Sequence, residues 1–232
     1  MKRFWLILAT FLGLALQAVP ASAALTLSCA GDPCTGGNAG FNYGTILLTQ
    51  LGSGVAGDSN NAVRVTVTLA SGYKFATGTS NYAIEWNVTG NPALTISNLS
   101  NSSNFTPQSA ASGQLYQAAP VLQGNPFSKN PNNCSGANAA GCFQYAIAHT
   151  AGTDTQLIFD VTKAGGLLIS NFTTTSNGYT FASRIMSTSG GGDSFYVATN
   201  AAAVPEPQTW LMMIAGLGLF VAVRRRYRAQ PH

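Results

Sequence analysis

Charge is the scarcest commodity in this chain. Only 8% of its 232 residues are Asp, Glu, Lys or Arg, against about 25% in an ordinary soluble domain. The apparent basicity is also misplaced for most uses. Lys2 and Arg3 stand at the start, and Arg224, Arg225, Arg226 and Arg228 at the end. Between them, residues 24–203 hold five cations (Arg64, Lys74, Lys129, Lys163, Arg184) and six acids (Asp32, Asp58, Glu85, Asp154, Asp160, Asp193), a net charge of −1. Nucleic-acid binding needs a basic face that displaces phosphate counterions, so a nucleic-acid partner is excluded. Histidine is nearly absent too: of the two, only His149 lies away from the extreme C-terminus. A nucleophile–base–orienter set needs three groups within hydrogen-bond reach. Here the serines are too many to single one out, and none sits in a G-x-S-x-G elbow.

Metal and glycosidic chemistry are equally short of material. Cys29, Cys34, Cys134 and Cys142 are the only cysteines, and their C-x4-C and C-x7-C spacings fit no common zinc ribbon. Asp58 and Asn60 begin like a calcium loop, but Ala62 breaks the D-x-[DN]-x-[DN]-G series. No metal site and no cofactor is expected. Asp154 and Asp160 are the obvious carboxylate pair. On one extended strand they stand about 20 Å apart, beyond the roughly 5–10 Å that glycoside hydrolysis requires. The residues therefore predict a domain without a catalytic site.

What the chain does have is short alternation. "AVRVTVTLA" puts Val63, Val65, Val67 and Leu69 on one face, against Arg64, Thr66 and Thr68. "NYAIEWNVT" puts Tyr82, Ile84, Trp86 and Val88 opposite Glu85 and Asn87. "CFQYAIAHT" aligns Phe143, Tyr145, Ile147 and His149; "TQLIFDVTK" aligns Leu157, Phe159 and Val161; "GYTFASRIM" aligns Tyr179, Phe181 and Ile185. Weaker runs are "TILLTQL", "ALTISNL", "GLLISNF" and "SFYVATN". Period two with β-branched and aromatic content predicts half-buried strands. About nine of them and no amphipathic helix predict an all-β domain over residues 24–203, a single β-sandwich or jelly-roll-like ectodomain. Residues 98–138 are polar and carry Pro107, Pro120, Pro126 and Pro131. They read as a long connection or irregular insertion, with room for one extra strand within 114–122.

The termini carry the clearest signals. Met1-Lys2-Arg3, an apolar run over 4–16 and the small-x-small Ala21-Ser22-Ala23 form a signal peptide over 1–23. Signal peptidase cleavage is expected before Ala24, with the bond after Ala21 as second choice. Export makes the even cysteine count a disulfide signal. Four cysteines allow three pairings, and the short spacings favour Cys29–Cys34 with Cys134–Cys142. Sequons at Asn87, Asn98, Asn101, Asn104, Asn133 and Asn171 are what so Asn/Ser/Thr-rich a chain produces by chance. Tyr73, Tyr116 and Tyr196 are candidates for stacking on sugar rings, if exposed, and packing is the plainer role for each. At the other end, residues 209–223 are apolar. As a helix they span about 22 Å, short of a hydrocarbon core of about 30 Å. The arginines that follow hold the C-terminus in the cytoplasm.

"VPEPQTWLMMIAGLGLFVAVRRRYR", over residues 204–228, resembles the PEP-CTERM sorting signal of Gram-negative bacteria: the tripeptide, a short transmembrane helix with glycines, then a basic cluster. The resemblance implies an exosortase as partner, a membrane-embedded cysteine protease or transpeptidase that cuts near the motif. Pro205, Glu206 and Pro207 are then the recognition element, 209–223 the temporary anchor, and Arg224, Arg225, Arg226 and Arg228 the stop and orientation cluster. The family context also implies a non-enzymatic cell-surface or biofilm-matrix protein associated with exopolysaccharide. It would be exported through the inner membrane, transiently anchored with its ectodomain outside, and finally at the surface or extracellular. The alternative is a carbohydrate-binding module or adhesin on the same β-domain.

Overall fold

The computed structural model describes residues 21–29, 40–52, 61–78, 81–108, 115–116, 143–175, 178–189 and 194–199. The signal peptide up to residue 20, most of the insertion, and the whole sorting segment lie outside the described residues. Among the described residues no helix is long and apolar enough to cross a membrane.

Twelve strands account for most of what is described: β1 Ser22–Ser28, β2 Asn42–Leu51, β3 Ala62–Leu69, β4 Tyr73–Phe75, β5 Tyr82–Trp86, β6 Leu94–Ser97, β7 Phe105–Gln108, β8 Leu115–Tyr116, β9 Tyr145–His149, β10 Gln156–Lys163, β11 Phe181–Ser187 and β12 Ser194–Thr199. The alternation that predicted β3 is visible in its burial, whereas β5 and β9, expected to be half-buried, are buried on both faces. In β3, Val63, Val65 and Val67 are fully buried, Arg64 and Thr66 are half-buried, and Thr68 is exposed. β3 pairs antiparallel with β2 on one side and β10 on the other, and Ile46 and Leu48 of β2 and Leu157 and Phe159 of β10 share the interior face of Val65 and Val67. At Gly44 of β2, a Cβ would meet the Thr68 carbonyl oxygen at 2.4 Å with φ at +155°, so the close approach of β3 there requires glycine.

The expected strand content is present, but the arrangement is one continuous antiparallel sheet instead of two stacked ones. Its order is β7-β9-β5-β11-β12-β1-β2-β3-β10-β6-β8, with β4 added beside β5 on the edge of β11. β5 and β10 lie six places apart in that order, yet the rings of Trp86 and Phe159 meet with centroids 5.4 Å apart. The sheet therefore curls over on itself toward a barrel, the shape that accumulated right-handed twist gives a long sheet. Trp86 also stacks on Tyr145 of β9 at 5.8 Å, and the Tyr145 hydroxyl donates to the Pro92 carbonyl. Burying side chains of this size stabilises by roughly 2–3 kcal/mol each.

Three departures from the sequence reading have local causes. "GLLISNF" forms a 3-10 turn over Ile169–Asn171 and no strand. Gly165 and Gly166 turn the chain at φ +79° and +87°, and the Asn171 carboxamide oxygen accepts the Leu168 N–H at 2.9 Å. The Gln50 carboxamide then holds the segment, donating to the Leu167 carbonyl and accepting from Ile169 N–H. β1 begins at Ser22, inside the stretch read as signal peptide. β7 lies inside the segment read as irregular, whereas β8 falls within 114–122, where one extra strand had room. β7 is too short to alternate visibly, and it contains a proline, which an edge strand tolerates.

Candidate functional site

Pro205, Glu206, Pro207 and the arginines at 224, 225, 226 and 228 lie outside the described residues, as do Cys34, Cys134 and Cys142. Cys29 is buried just beyond the end of β1. The described residues include three carboxylates in three separate settings, Asp160, Asp154 and Glu85.

Asp160 is fully buried on β10 opposite Arg64 of β3. Arg64 Nε donates to Oδ1 at 2.8 Å and Nη2 to Oδ2 at 2.9 Å. Asn98, just past β6 in the left-handed region at φ +50°, donates to Oδ2 at 2.7 Å. The carboxylate pushes the Arg64 guanidinium still higher, the hydrogen bond being the largest cause. With both oxygens occupied in this planar fork, Asp160 is a clamp across β3, β10 and β6.

Asp154 precedes β10 and meets His149 at the end of β9, Oδ2 to Nε2 3.0 Å. Asn101 and Asn104, in the turn before β7, donate to its two oxygens at 2.5 and 2.8 Å. Burial pushes this carboxyl up, but the hydrogen bonds from His149, Asn104 and Asn101 outweigh it and leave it below its ordinary value. The pair has the form of an orienter and a base. However, His149 is fully buried between Phe75 and Phe105, and its Nδ1 has no hydrogen-bond partner. Among the described residues no hydroxyl lies within hydrogen-bond reach of Nδ1. The sequence reading left His149 and Asp154 unconnected; the structure joins them across the β9–β10 turn.

Glu85 lies on the face of β5 to which alternation assigned it, opposite Ala146 of β9 and Ala182 of β11. That face is covered. Phe143 packs on Ala146, Ala182 and Ala198, with Tyr82, Tyr179 and Tyr196 against them. Glu85 is 1% exposed, and neither oxygen has a hydrogen-bond partner. Burial drives its pKa to about 8, and the Arg184 charge holds it down only in part. Arg184 itself donates from Nε to Ser194 Oγ at 2.9 Å and lies 5.2 Å from the Tyr196 ring centroid. The signal that exposes this second layer is the row of alanines in phase with Glu85 on three neighbouring strands.

A different kind of site lies where β2, β4 and β12 begin. Phe41, Tyr43, Tyr73 and Phe195 form one aromatic cluster, with centroids 4.8 Å apart for Phe41–Tyr43, 5.0 Å for Tyr43–Tyr73, 5.2 Å for Tyr43–Phe195 and 6.1 Å for Phe41–Tyr73. Tyr43 and Phe195 are buried; Tyr73 is half-buried and Phe41 is 46% exposed. Of the three tyrosines proposed from sequence, Tyr73 belongs to this cluster, Tyr196 lies by Arg184, and the Tyr116 side chain is outside what is described. Among the described residues, no three His, Cys, Asp or Glu side chains converge as a metal site would require.

Compared with known families, the chain matches the PEP-CTERM protein-sorting motif over residues 203–226. No curated protein and no solved structure matches it.

Proposed function

We propose that this protein is the non-enzymatic cargo of an exosortase: a β-domain exported, held at the membrane by its C-terminal segment, and released or displayed after recognition of Pro205-Glu206-Pro207. The observation that carries the reading is the sorting motif at residues 203–226, which makes the chain an exosortase-dependent sorted protein. The two prolines fix φ and remove two amide donors, so the tripeptide presents its carboxylate on a stiff handle that joins neither strand nor helix. Five residues separate Thr199, the end of β12, from Pro205. They reach at most about 20 Å in any conformation, so the enzyme works close beside a folded domain.

The test is a pair of lesions in the native host. Replacing Pro205, Glu206 and Pro207 with alanine leaves hydrophobicity and the arginines intact, so the protein inserts and accumulates uncleaved in the inner membrane. Replacing Arg224, Arg225 and Arg226 with alanine removes the charges that resist translocation, each costing about 2.5–3.5 kcal/mol at the bilayer centre, so that variant mis-orients before processing. Wild-type release of the first variant refutes the reading. A second reading, a carbohydrate-binding or adhesive role for the same cargo, is favoured by one observation: the exposed ring of Phe41 beside the half-buried ring of Tyr73.

A further inference from the structure

We infer that Phe41 and Tyr73 form a stacking platform for an uncharged sugar residue of a polysaccharide; the inference rests on the carbohydrate-binding reading and gives it a place and a ligand class. Three exposed large hydrophobic residues occur among the described residues: Phe41, Leu47 and Leu168. Leu47 projects singly from β2, and Leu168 from the turn after β10. Only Phe41 stands in a cluster of rings. Its neighbours hold it: Tyr43 is tilted against it at 59°, and Phe195 meets Tyr43 edge-on at 72° and Tyr73 at 89°. Rings fixed by buried partners lose little entropy when a ligand lands on them.

The surroundings choose among occupants. Tyr73 follows a tight turn closed by its own N–H to the Ala70 carbonyl, and the Gly72 carbonyl accepts the Thr188 N–H. Ser187 pairs with Tyr73 across the β4–β11 ladder and shares a hydroxyl contact with Ser189 at 2.8 Å. Asn42 adjoins Phe41. The rim is thus hydroxyl and amide; the nearest cation in sequence, Lys74, alternates to the other face of β4. Among the described residues the cation recorded over an aromatic ring is Arg184, at Tyr196 and not at these four rings, so an anionic polymer or a lipid headgroup finds no described cation here to pair with. A protein partner needs roughly 800 Å² per side with a buried aromatic core, whereas here a single ring is nearly half free. An uncharged pyranose presents C–H groups to a ring face and hydroxyls to a Ser/Asn rim, which is the chemistry available.

The test is affinity electrophoresis of the full-length chain in detergent, through gels carrying a neutral glucan, a neutral galactomannan, an anionic alginate, or no polymer. Phe41 is exposed enough that Phe41→Ala leaves the fold standing, which its thermal midpoint checks. The wild type should be retarded by a neutral polymer, Phe41→Ala and Tyr73→Ala should weaken that retardation by about tenfold or more in apparent Kd, and Phe41→Trp should keep it. Leu47→Ala and Leu168→Ala should leave it unchanged. If the wild type binds a neutral polymer and Phe41→Ala binds equally well, carbohydrate binding stands and this site is wrong. If no neutral polymer retards the wild type, both fail. Retardation by alginate alone, equal loss in the leucine variants, or concentration-dependent self-association abolished by Phe41→Ala would each overturn the platform. None of these outcomes bears on exosortase sorting, which the purified chain does not undergo.

Discussion

Replacing Glu85 with glutamine should make this protein more stable in alkali, and the size of the effect follows from its surroundings. The carboxyl titrates near 4.5 in the unfolded chain and near 8 in the folded one, because burial penalises the charge and Arg184 offsets that only in part. Between those values the folded state holds a proton that the unfolded state has released. Stability therefore falls as pH rises, by about 1.4 kcal/mol per unit, until the folded carboxyl itself ionises near pH 8 and the curve flattens. From pH 5 to pH 8 the loss comes to about 3–4 kcal/mol, a large share of a marginal domain's total. Glutamine keeps the shape and does not titrate. Denaturant midpoints of wild type and Glu85→Gln, taken at unit steps from pH 5 to 9, give two profiles whose difference isolates Glu85 from every other titrating group. The wild-type curve should descend toward pH 8 while the variant's stays nearly level, so that the two diverge by about 3 kcal/mol. Tyr82 and Tyr196, both raised by burial and by the Glu85 charge, should ionise at lower pH in the variant. Parallel profiles would show that Glu85 is hydrated or paired in solution, and the argument from burial would fail.

Other outcomes follow from the same structure. Arg64→Ala strands the fully buried Asp160 carboxylate with only Asn98 as partner and should cost about 2–3 kcal/mol. Asp160→Asn should cost less, because Arg64, at 42% side-chain exposure, regains water; equal losses in urea midpoints would contradict this. Acid should weaken the domain through Asp154. Its carboxyl lies below its ordinary 3.8, so the stability it adds is present above that value and is lost as pH falls through the folded pKa; the loss should vanish in Asp154→Asn. Ser22 pairs with Thr49 and the buried Ala23 with Leu48. N-terminal sequencing of the exported form should therefore find Ser22, from cleavage after Ala21; Ala24 as first residue would mean that β1 survives without those pairs. Non-reducing mass spectrometry of the exported protein should find no free thiol among Cys29, Cys34, Cys134 and Cys142, and labelling of two or more in unfolded, unreduced protein would contradict it.

Local chemistry was enough to read much of this molecule. Alternation alone identified the core faces of β3 and β10, because the side-chain period of a strand is a property of its own backbone; Tyr82, Phe143 and Tyr179, which it set in phase with Ile84, Tyr145 and Phe181, pack instead with Ala146 and Ala182. The sorting motif was legible for a related reason: its elements are contiguous, and a membrane enzyme must recognise them in order along one short segment. The tertiary structure decided what depends on neighbours distant in sequence. Nothing near Trp86 says that Phe181 lies beside it or that Phe159 packs on its ring; both follow from a sheet that curls through eleven strands in its main path. Glu85 looked like an ordinary outward-facing acid until β9 and β11 flanked it with alanines and Phe143 closed over them. Phe41 and Tyr73 come together only because β2 and β4 begin side by side against Phe195. Period and motif are written along the chain, whereas burial, pKa and the joining of separated side chains arise from contacts that form only when the sheet does.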